Sequence, residues 1–273
     1  MRSEPSSVYW DSVSAAFGRN GAHALWRSHS DRLNRALVQT WLANHKVQSI
    51  LKTDTFDEAV GQGLYPLLQK HAEVVHGIDI AAEFVAQAGN RYPEFAVQQA
   101  DVRDISFADN SIDIAVSNST LDHFLTTNDI DTSLRELFRV LKPGGALVIS
   151  LDNLQNPVIG IRNMLPCTLL KTLRMVPYFV GATLSRRGLV AALEQAGFAV
   201  VETRAIMHCP RVLAVHLAAI LQRTASRKNQ QRFLDWLNKF EALSNWPSRY
   251  FTGHFVAAYA LKPEEKTTKI QPE

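Results

Sequence analysis

Short apolar segments alternate with amphipathic segments between residues 47 and 151, a pattern that few folds can accommodate. The apolar segments predict strands over 47–56, 74–79, 95–100, 112–117 and 146–151. Between the last two, apolar residues recur at helical spacing and are followed by Pro143-Gly144-Gly145, which predicts the end of a helix. Strands that alternate with helices form a parallel sheet with helices on both faces. We therefore predict a doubly wound α/β fold.

The segments on either side of this alternation predict further helices. Apolar residues at three- and four-residue spacing, such as Leu33, Leu37 and Trp41, predict an N-terminal helical cap over 1–46. Ser185 and Gly197 bracket a predicted helix over 189–196, and two more strands are predicted over 198–203 and 254–261. The expected organisation is one domain over 47–262, with helical or lid insertions at 153–184 and 205–250 and a disordered tail over 263–273.

The bulk properties exclude several classes of protein. The net charge is only +3 and no long basic stripe occurs, so we predict no nucleic-acid partner. Cys167 and Cys209 are too few for a disulfide framework and lack the spacing of a zinc site, so no metal is predicted. No signal peptide and no apolar stretch of about 20 residues is evident, which predicts a cytoplasmic protein without a transmembrane segment. Contact with an anionic membrane surface stays open, and nothing indicates an oligomeric state.

Polar residues follow the first two predicted strands, where an open parallel sheet binds its ligands. Asp57 and the turn at Gly61 and Gly63 follow the first strand. A glycine turn before a helix lets backbone N–H groups approach a ligand carboxylate or phosphate. Asp79, followed by Ile80, ends the second strand about 20 residues later, the spacing of an acid that binds ribose hydroxyls.

Polar residues follow the next two strands as well. Asp101 could accept a hydrogen bond from an adenine amino group, and Val102 could cover the ring. Asn118, with its neighbours Ser117, Ser119 and Thr120, follows the fourth strand. Each residue alone is a weak signal, but together they predict one nucleoside-binding hollow at the edge of the sheet.

These residues carry a resemblance to a known family. The chain resembles the class I S-adenosylmethionine-dependent methyltransferases, nearest to the branch that modifies small molecules, quinones and lipids, in its runs Gly77-Ile78-Asp79-Ile80, Asp101-Val102, Ile112–Asn118 and Glu136–Gly145. The clear match covers 47–151. The resemblance implies a seven-stranded sheet whose last strand is antiparallel, with Asp79 on the cofactor ribose and Asp101 on its adenine. It further implies methyl transfer from S-adenosylmethionine to a small-molecule acceptor, for which an apolar compound is one option.

The first loop departs from the pattern of that family. Ala59 stands where the first of three alternating glycines belongs, and Lys52-Thr53-Asp54 interrupts a strand that should be apolar. Two placements are open: either Asp57 is the loop acid, or the strand ends near Leu51 and Thr53 and Asp54 begin an altered loop. Two other functions also stay open. One is a non-catalytic partner subunit that binds S-adenosylmethionine, and the other is an NAD-dependent oxidoreductase, which is disfavoured because Pro66 replaces the last glycine of its fingerprint.

Methyl transfer is an in-line displacement that depends on orientation and needs no catalytic triad. An acceptor that must lose a proton would use a base, for which His123 is the candidate. The alternative is that His123 only shapes the pocket. His208 is a second candidate, with a loop histidine bonded to backbone as its alternative. The apolar segment 156–183 could be a lid over the acceptor or could simply pack against the sheet.

Overall fold

The computed structural model describes residues 7–18, 23–165, 170 and 179–264, and it contains one seven-stranded sheet in the order β3-β2-β1-β4-β5-β7-β6. The strands are β1 (Val47–Lys52), β2 (Ala72–Asp79), β3 (Ala96–Gln99), β4 (Ile112–Asn118), β5 (Leu141–Asp152), β6 (Ala199–Ile206) and β7 (Phe255–Leu261). β7 runs antiparallel to both of its neighbours, and the pairs among β1 to β5 are parallel. The predicted mixed sheet is confirmed.

Helices precede, connect and follow these strands. They are α1 (Ser7–Gly18), α2 (Ala24–Leu42), α3 (Phe56–Val60), α4 (Tyr65–Leu68), α5 (Ala82–Arg91), α6 (Thr127–Val140), α7 (Pro157–Met164), α8 (Arg186–Gln195), α9 (Arg211–Thr224), α10 (Arg227–Lys239) and α11 (Arg249–Thr252). Two 3-10 helices lie at Leu121–His123 and Phe240–Asn245. None of the helices in the described parts of the chain is long and apolar enough to cross a membrane.

Helices cover both faces of the sheet, as the apolar strands require. Because side chains alternate along a strand, Ile114 and Val116 of β4 join the core beneath α2, α9 and α10. Ala115 between them faces the opposite core, which is built with α6 and α8. This two-sided burial explains why the strands are apolar without a polar face.

Several predicted boundaries were wrong. β1 ends at Lys52 instead of reaching Phe56, because the chain turns into α3. α6 ends at Val140, and β5 already begins at Leu141, so Pro143-Gly144-Gly145 lies inside the strand. A φ of 78° at Gly144 lets the strand start with this irregular segment.

The C-terminal part of the chain also differs from the prediction. β6 continues to Ile206, so the segment predicted as an insertion from residue 205 begins as strand. Ser185 does cap α8 by accepting a hydrogen bond from the Gly188 N–H, and Gly197 has a φ of 104° after it. The tail beyond 264 and residues 166–169 and 171–178 of the predicted lid lie outside the described residues.

Candidate active site

A cavity opens at the carboxyl ends of β1 to β4, on the switch point between β1 and β4 where the strand order reverses. Most of the residues predicted for the site line this cavity: Thr53, Asp54, Asp57, Asp79, Ile80, Asp101, Val102, Asn118 and His123. Gly61 and Gly63 are not among its lining residues. The structure therefore brings together the side chains from four strand ends, but not the glycine turn.

Asp79 is held rigidly at the end of β2. Its Oδ2 accepts hydrogen bonds from the Thr55 N–H (2.8 Å) and hydroxyl (3.1 Å), and its Oδ1 accepts one from the Ala81 N–H (2.9 Å). Burial raises the pKa of Asp79 to about 6, although these hydrogen bonds act in the opposite direction. The carboxylate is thus preorganised where ribose hydroxyls could donate to its remaining lone pairs.

Asp101 has a strong partner within the protein. Arg103 forms an ion pair with its carboxylate, with 2.6 Å between Arg103 Nη2 and Asp101 Oδ2, and the Arg103 N–H donates to Oδ1 at 2.8 Å. Arg103 also reaches Asp129 and lies over the Phe124 ring. Arg103 therefore competes for the same oxygens that an adenine amino group would use.

The segment after β1 is built on a buried lysine. Lys52 is completely buried, and its Nζ lies 2.9 Å from Asp54 Oδ1 and 3.0 Å from Glu58 Oε2. It also donates to the Asp54 carbonyl oxygen at 2.8 Å. Burial alone would lower the pKa of Lys52, but Asp54 and Glu58 raise it above its usual value. These contacts explain why a lysine can end a central strand.

Thr53 and Asp54 therefore begin an altered loop, and β1 ends one residue after the predicted Leu51. Thr53 Oγ1 lies 3.0 Å from both Ser117 Oγ and Thr120 Oγ1, and the Thr120 hydroxyl donates to Asp54 Oδ2 at 3.2 Å. Ala59 lies inside α3 and is absent from the residues with positive φ, so its methyl group causes no backbone strain.

The carboxyl groups near this loop repel one another. Burial and the neighbouring carboxylates of Asp54 and Asp31 raise the pKa of Asp57 well above its usual value. Burial and Glu58 likewise raise the pKa of Asp31 to about 6. A cationic ligand group beside Asp54 and Asp57 would relieve this repulsion.

The turn at Gly61 and Gly63 has a structural role instead of the predicted contact with a ligand. Gly63 has a φ of 59°, and a Cβ added there would lie 2.4 Å from Glu58 Oε1. Glu58 Oε1 accepts from the N–H groups of Leu64 (2.7 Å) and Tyr65 (3.1 Å). A glutamate of the protein thus occupies the amide groups for which a ligand anion was predicted.

The segment after β4 supplies the other wall. Asn118 Oδ1 accepts from the Ser150 hydroxyl at 2.8 Å, and His123 lies in the short 3-10 helix that follows. His123 Nδ1 is 3.1 Å from the Phe179 carbonyl oxygen, and Trp10 packs edge-on against the ring. Because a carbonyl oxygen only accepts, the neutral ring carries its proton on Nδ1 and its basic lone pair on Nε2.

Asp122 lies closer to His123 than the adjacent position suggested, with 3.9 Å between Asp122 Oδ1 and His123 Nε2. It is buried, and both burial and Asp152 raise its pKa. His208 does not line the cavity: its Nδ1 meets the Thr252 hydroxyl (2.7 Å) and its Nε2 the Ala205 carbonyl oxygen (3.0 Å). His208 is thus a loop histidine that is hydrogen-bonded to the backbone.

Several lining residues escaped the sequence reasoning. Trp10, Ser30 and Asn34 come from the two N-terminal helices, and Arg211 and Phe255 come from the start of α9 and of β7. The chain carries no motif at these positions. The one local signal of a functional residue was Arg211, which follows Pro210 and begins α9. The dipole of a helix disfavours a cation at this end.

Known proteins share both the sequence pattern and the fold. A family model described as a methyltransferase domain matches residues 57–149. A probable S-adenosylmethionine-dependent methyltransferase of Mycolicibacterium smegmatis is 29% identical over 101 residues, covering 37% of this chain and 38% of that protein. A malonyl-[acyl-carrier protein] O-methyltransferase of Erwinia billingiae is 26% identical over 145 residues, covering 53% of this chain and 55% of that protein. The chain thus spans little more than half the length of these relatives at most.

The solved structure of the [4+2]-cyclase SpnF superposes with a TM-score of 0.57 at 17% identity, covering 85% of this chain and 80% of that one. At this identity the similarity concerns the fold alone. The matched domain, the strand order with its antiparallel β7, and the acidic residues at successive strand ends agree with one another. The chain thus has the α/β fold of the class I S-adenosylmethionine-dependent methyltransferases, and its residues 57–149 are similar to a methyltransferase domain.

Proposed function

We propose that this protein transfers the methyl group of S-adenosylmethionine to a small-molecule acceptor. The observation that carries the proposal is the convergence of Asp79, Val102, Asp54 and Asp57 on one cavity. Asp79 would bind the ribose hydroxyls, and Ile80 and Val102 would cover the adenine.

The charge of the cavity suits this cofactor. Asp54, Asp57, Asp79 and Asp101 all line it, and S-adenosylmethionine carries a sulfonium and an ammonium group. Opposite charges within about 4–6 Å favour the ionised form of a carboxyl group. The ammonium group beside Asp57 would therefore lower the raised pKa of this carboxyl group on binding, which would increase the affinity for the cofactor.

The hydrogen bonds of the first loop argue against binding of a dinucleotide. The pyrophosphate of NAD would need the N–H groups at the start of α4, and these are bonded to Glu58. The turn at Gly61 and Gly63 also lies outside the lining of the cavity. Among the described residues, the first loop therefore offers the pyrophosphate of NAD no free N–H groups at the start of α4.

The catalytic step would depend mainly on orientation. Holding the acceptor atom in line with the methyl group and the sulfur can supply roughly 7–11 kcal/mol of the barrier. His123 Nε2 would take the proton of an acceptor hydroxyl or amine, and the proton would then reside on the imidazolium. Asp122 Oδ1, 3.9 Å from Nε2, would stabilise that positive charge. Such a base contributes about 10²–10⁴-fold.

Calorimetry with S-adenosylhomocysteine tests the cofactor site. The wild-type protein should bind it, Asp79→Ala should bind it at least 100-fold more weakly, and Asp235→Ala, an exposed control on α10, should match the wild type. Unchanged affinity in Asp79→Ala at unchanged folding would refute the site. Incubation with labelled S-adenosylmethionine and a cell extract tests the transfer: binding without any labelled product would favour a non-catalytic subunit.

A further inference from the structure

The cavity needs a cation if it is to bind a carboxylate, and the first loop does not provide one. The N–H groups that open α4 are bonded to Glu58. Glu58 is completely buried and paired with Lys52, so a ligand carboxylate would have to displace a buried ion pair to reach these donors. Breaking such a pair is costly. A carboxylate in the cavity must be bound elsewhere.

Arg211 is the one arginine or lysine among the described residues that line the cavity. Its side chain is 30% exposed, so the guanidinium is accessible without being fully solvated. The acids that line the same cavity are Asp54, Asp57, Asp79 and Asp101, and none of them forms an ion pair with Arg211. The guanidinium of Arg211 is thus a positive charge in a cavity whose other charged lining residues are acids.

The partners of Arg211 within the protein leave this charge incompletely balanced. Its Nη1 forms a hydrogen bond with His254 Nε2, but it lies 3.9 Å from Asp152 Oδ1, beyond hydrogen-bond distance. Asp152 Oδ2 already accepts a hydrogen bond from Arg162 Nη1 at 2.6 Å, and His254 Nε2 lies 3.2 Å from Asp152 Oδ1. Burial lowers the pKa of His254 to about 4, so this histidine is neutral at pH 7. Two arginines therefore share the one carboxylate of Asp152.

The position of Arg211 is not explained by the stability of its helix. It is the first residue of α9, where the positive end of the helix dipole repels a cation. Its guanidinium lies 5.5 Å from the centre of the Phe255 ring and 6.0 Å from that of the Trp26 ring. These cation–π contacts keep the guanidinium at the wall of the cavity.

We propose that Arg211 is the carboxylate-binding residue of this cavity. The proposal rests on the proposed function, because it concerns the same site. The carboxylate belongs either to the methionine part of S-adenosylmethionine or to the acceptor. In both cases the planar guanidinium forms two parallel hydrogen bonds to it, and the charge left over beside Asp152 is neutralised.

Binding measurements on Arg211→Gln test the proposal and distinguish the two sources. The first arm compares S-adenosylhomocysteine with 5′-methylthioadenosine, which keeps the nucleoside and the sulfur but lacks the amino-acid part. The second arm titrates straight-chain carboxylates from acetate to dodecanoate, and their primary amides, with and without S-adenosylhomocysteine. Arg211→Lys keeps the charge without the fork geometry, and Arg223→Gln is the control at the exposed end of the same helix.

If the carboxylate is that of the cofactor, Arg211→Gln lowers the affinity for S-adenosylhomocysteine by about 10- to 100-fold. The affinity for 5′-methylthioadenosine then stays unchanged. If the carboxylate is that of the acceptor, Arg211→Gln leaves the affinities for both nucleosides unchanged. It then abolishes the preference of the wild type for carboxylates over amides. In the arm that shows a change, the affinity of Arg211→Lys should lie between those of the wild type and of Arg211→Gln. A common melting temperature shows that the variants are folded.

The proposal is refuted if two affinity ratios in Arg211→Gln equal those of the wild type. These are the ratio of the affinities for the two nucleosides and the ratio of the affinities for carboxylate and amide. It is equally refuted if the wild type prefers neither carboxylates over amides nor S-adenosylhomocysteine over 5′-methylthioadenosine. Failure of the wild type to bind either nucleoside contradicts the proposed function instead. The carboxylate arm without nucleoside then still tests Arg211 by itself.

Discussion

Replacing Lys52 by methionine should cost this protein more stability than any ordinary surface change. Methionine is close to lysine in shape, so Lys52→Met removes the charge without opening a large cavity. The Nζ group forms ion pairs with Asp54 Oδ1 (2.9 Å) and Glu58 Oε2 (3.0 Å), and it donates to the Asp54 carbonyl oxygen (2.8 Å). The variant therefore leaves two acids without their shared cation.

The magnitude follows from the burial of those acids. The side chain of Glu58 is 0% exposed, so water cannot replace the lost cation there, whereas Asp54 is 15% exposed and lines the cavity. Removing one partner of a buried ion pair costs about 3–5 kcal/mol. For a chain of this size the melting temperature should fall by roughly 6–20 °C. Lys46→Met, at an exposed lysine just before β1, should change stability by less than about 0.5 kcal/mol.

The pH dependence makes this prediction specific. In Lys52→Met the two acids are buried without their cation, which destabilises the fold most where both carboxyl groups are ionised and least where they are protonated. The loss should thus be larger at pH 8 than at pH 5. Urea denaturation at both values measures it, and Glu58→Gln added to Lys52→Met should restore part of the stability. A loss below about 1 kcal/mol, or an equal loss at both pH values, would refute the reasoning.

Three further predictions concern the cavity and its loop. His123→Ala should slow methyl transfer about 10²–10⁴-fold while sparing cofactor affinity, and unchanged turnover of the identified acceptor would remove His123 from the role of base. The affinity for S-adenosylhomocysteine should fall as the pH is lowered through about 6, because ribose hydroxyls donate to ionised Asp79, whose pKa burial raises to about 6; calorimetry from about pH 5 to 8 that finds a constant affinity would contradict this. Gly63→Ala should lower the melting temperature, since φ is 59° and Glu58 occupies the space of a Cβ, at about 1–2 kcal/mol for the backbone alone. Gly188→Ala, where the nearest atoms lie at an ordinary 3.5 Å, is its control, and equal melting temperatures for the two variants would argue against strain at Gly63.

Local pattern carried most of the predictable information. The parallel strands and their helices follow from hydrophobic periodicity, which can be read from a short stretch of the sequence. The connection rules for parallel strands then place successive strand ends at one edge of the sheet. Asp79, Asp101 and Asn118 could therefore be assigned to one cavity from their positions along the chain, and the structure brings all three to its lining.

The first loop was predictable only in part. Lys52 interrupts an apolar strand, which indicated that something there was unusual. The glycines at 61 and 63 then suggested an anion site that Glu58 in fact fills. Whether backbone N–H groups are available to a ligand depends on which side chain reaches them, and periodicity carries no such information.

The class of fold, the order of its elements and the acids that end its strands were predictable from local pattern, because they depend on neighbours a few residues apart. Three features became visible only in the folded chain: Lys52 is a buried counter-ion, Glu58 takes the place of a ligand anion, and Arg211 reaches the cavity. The physical reason is electrostatic. The cost or gain of burying a charge is set by groups within a few ångströms in space, and folding brings these together from distant parts of the chain.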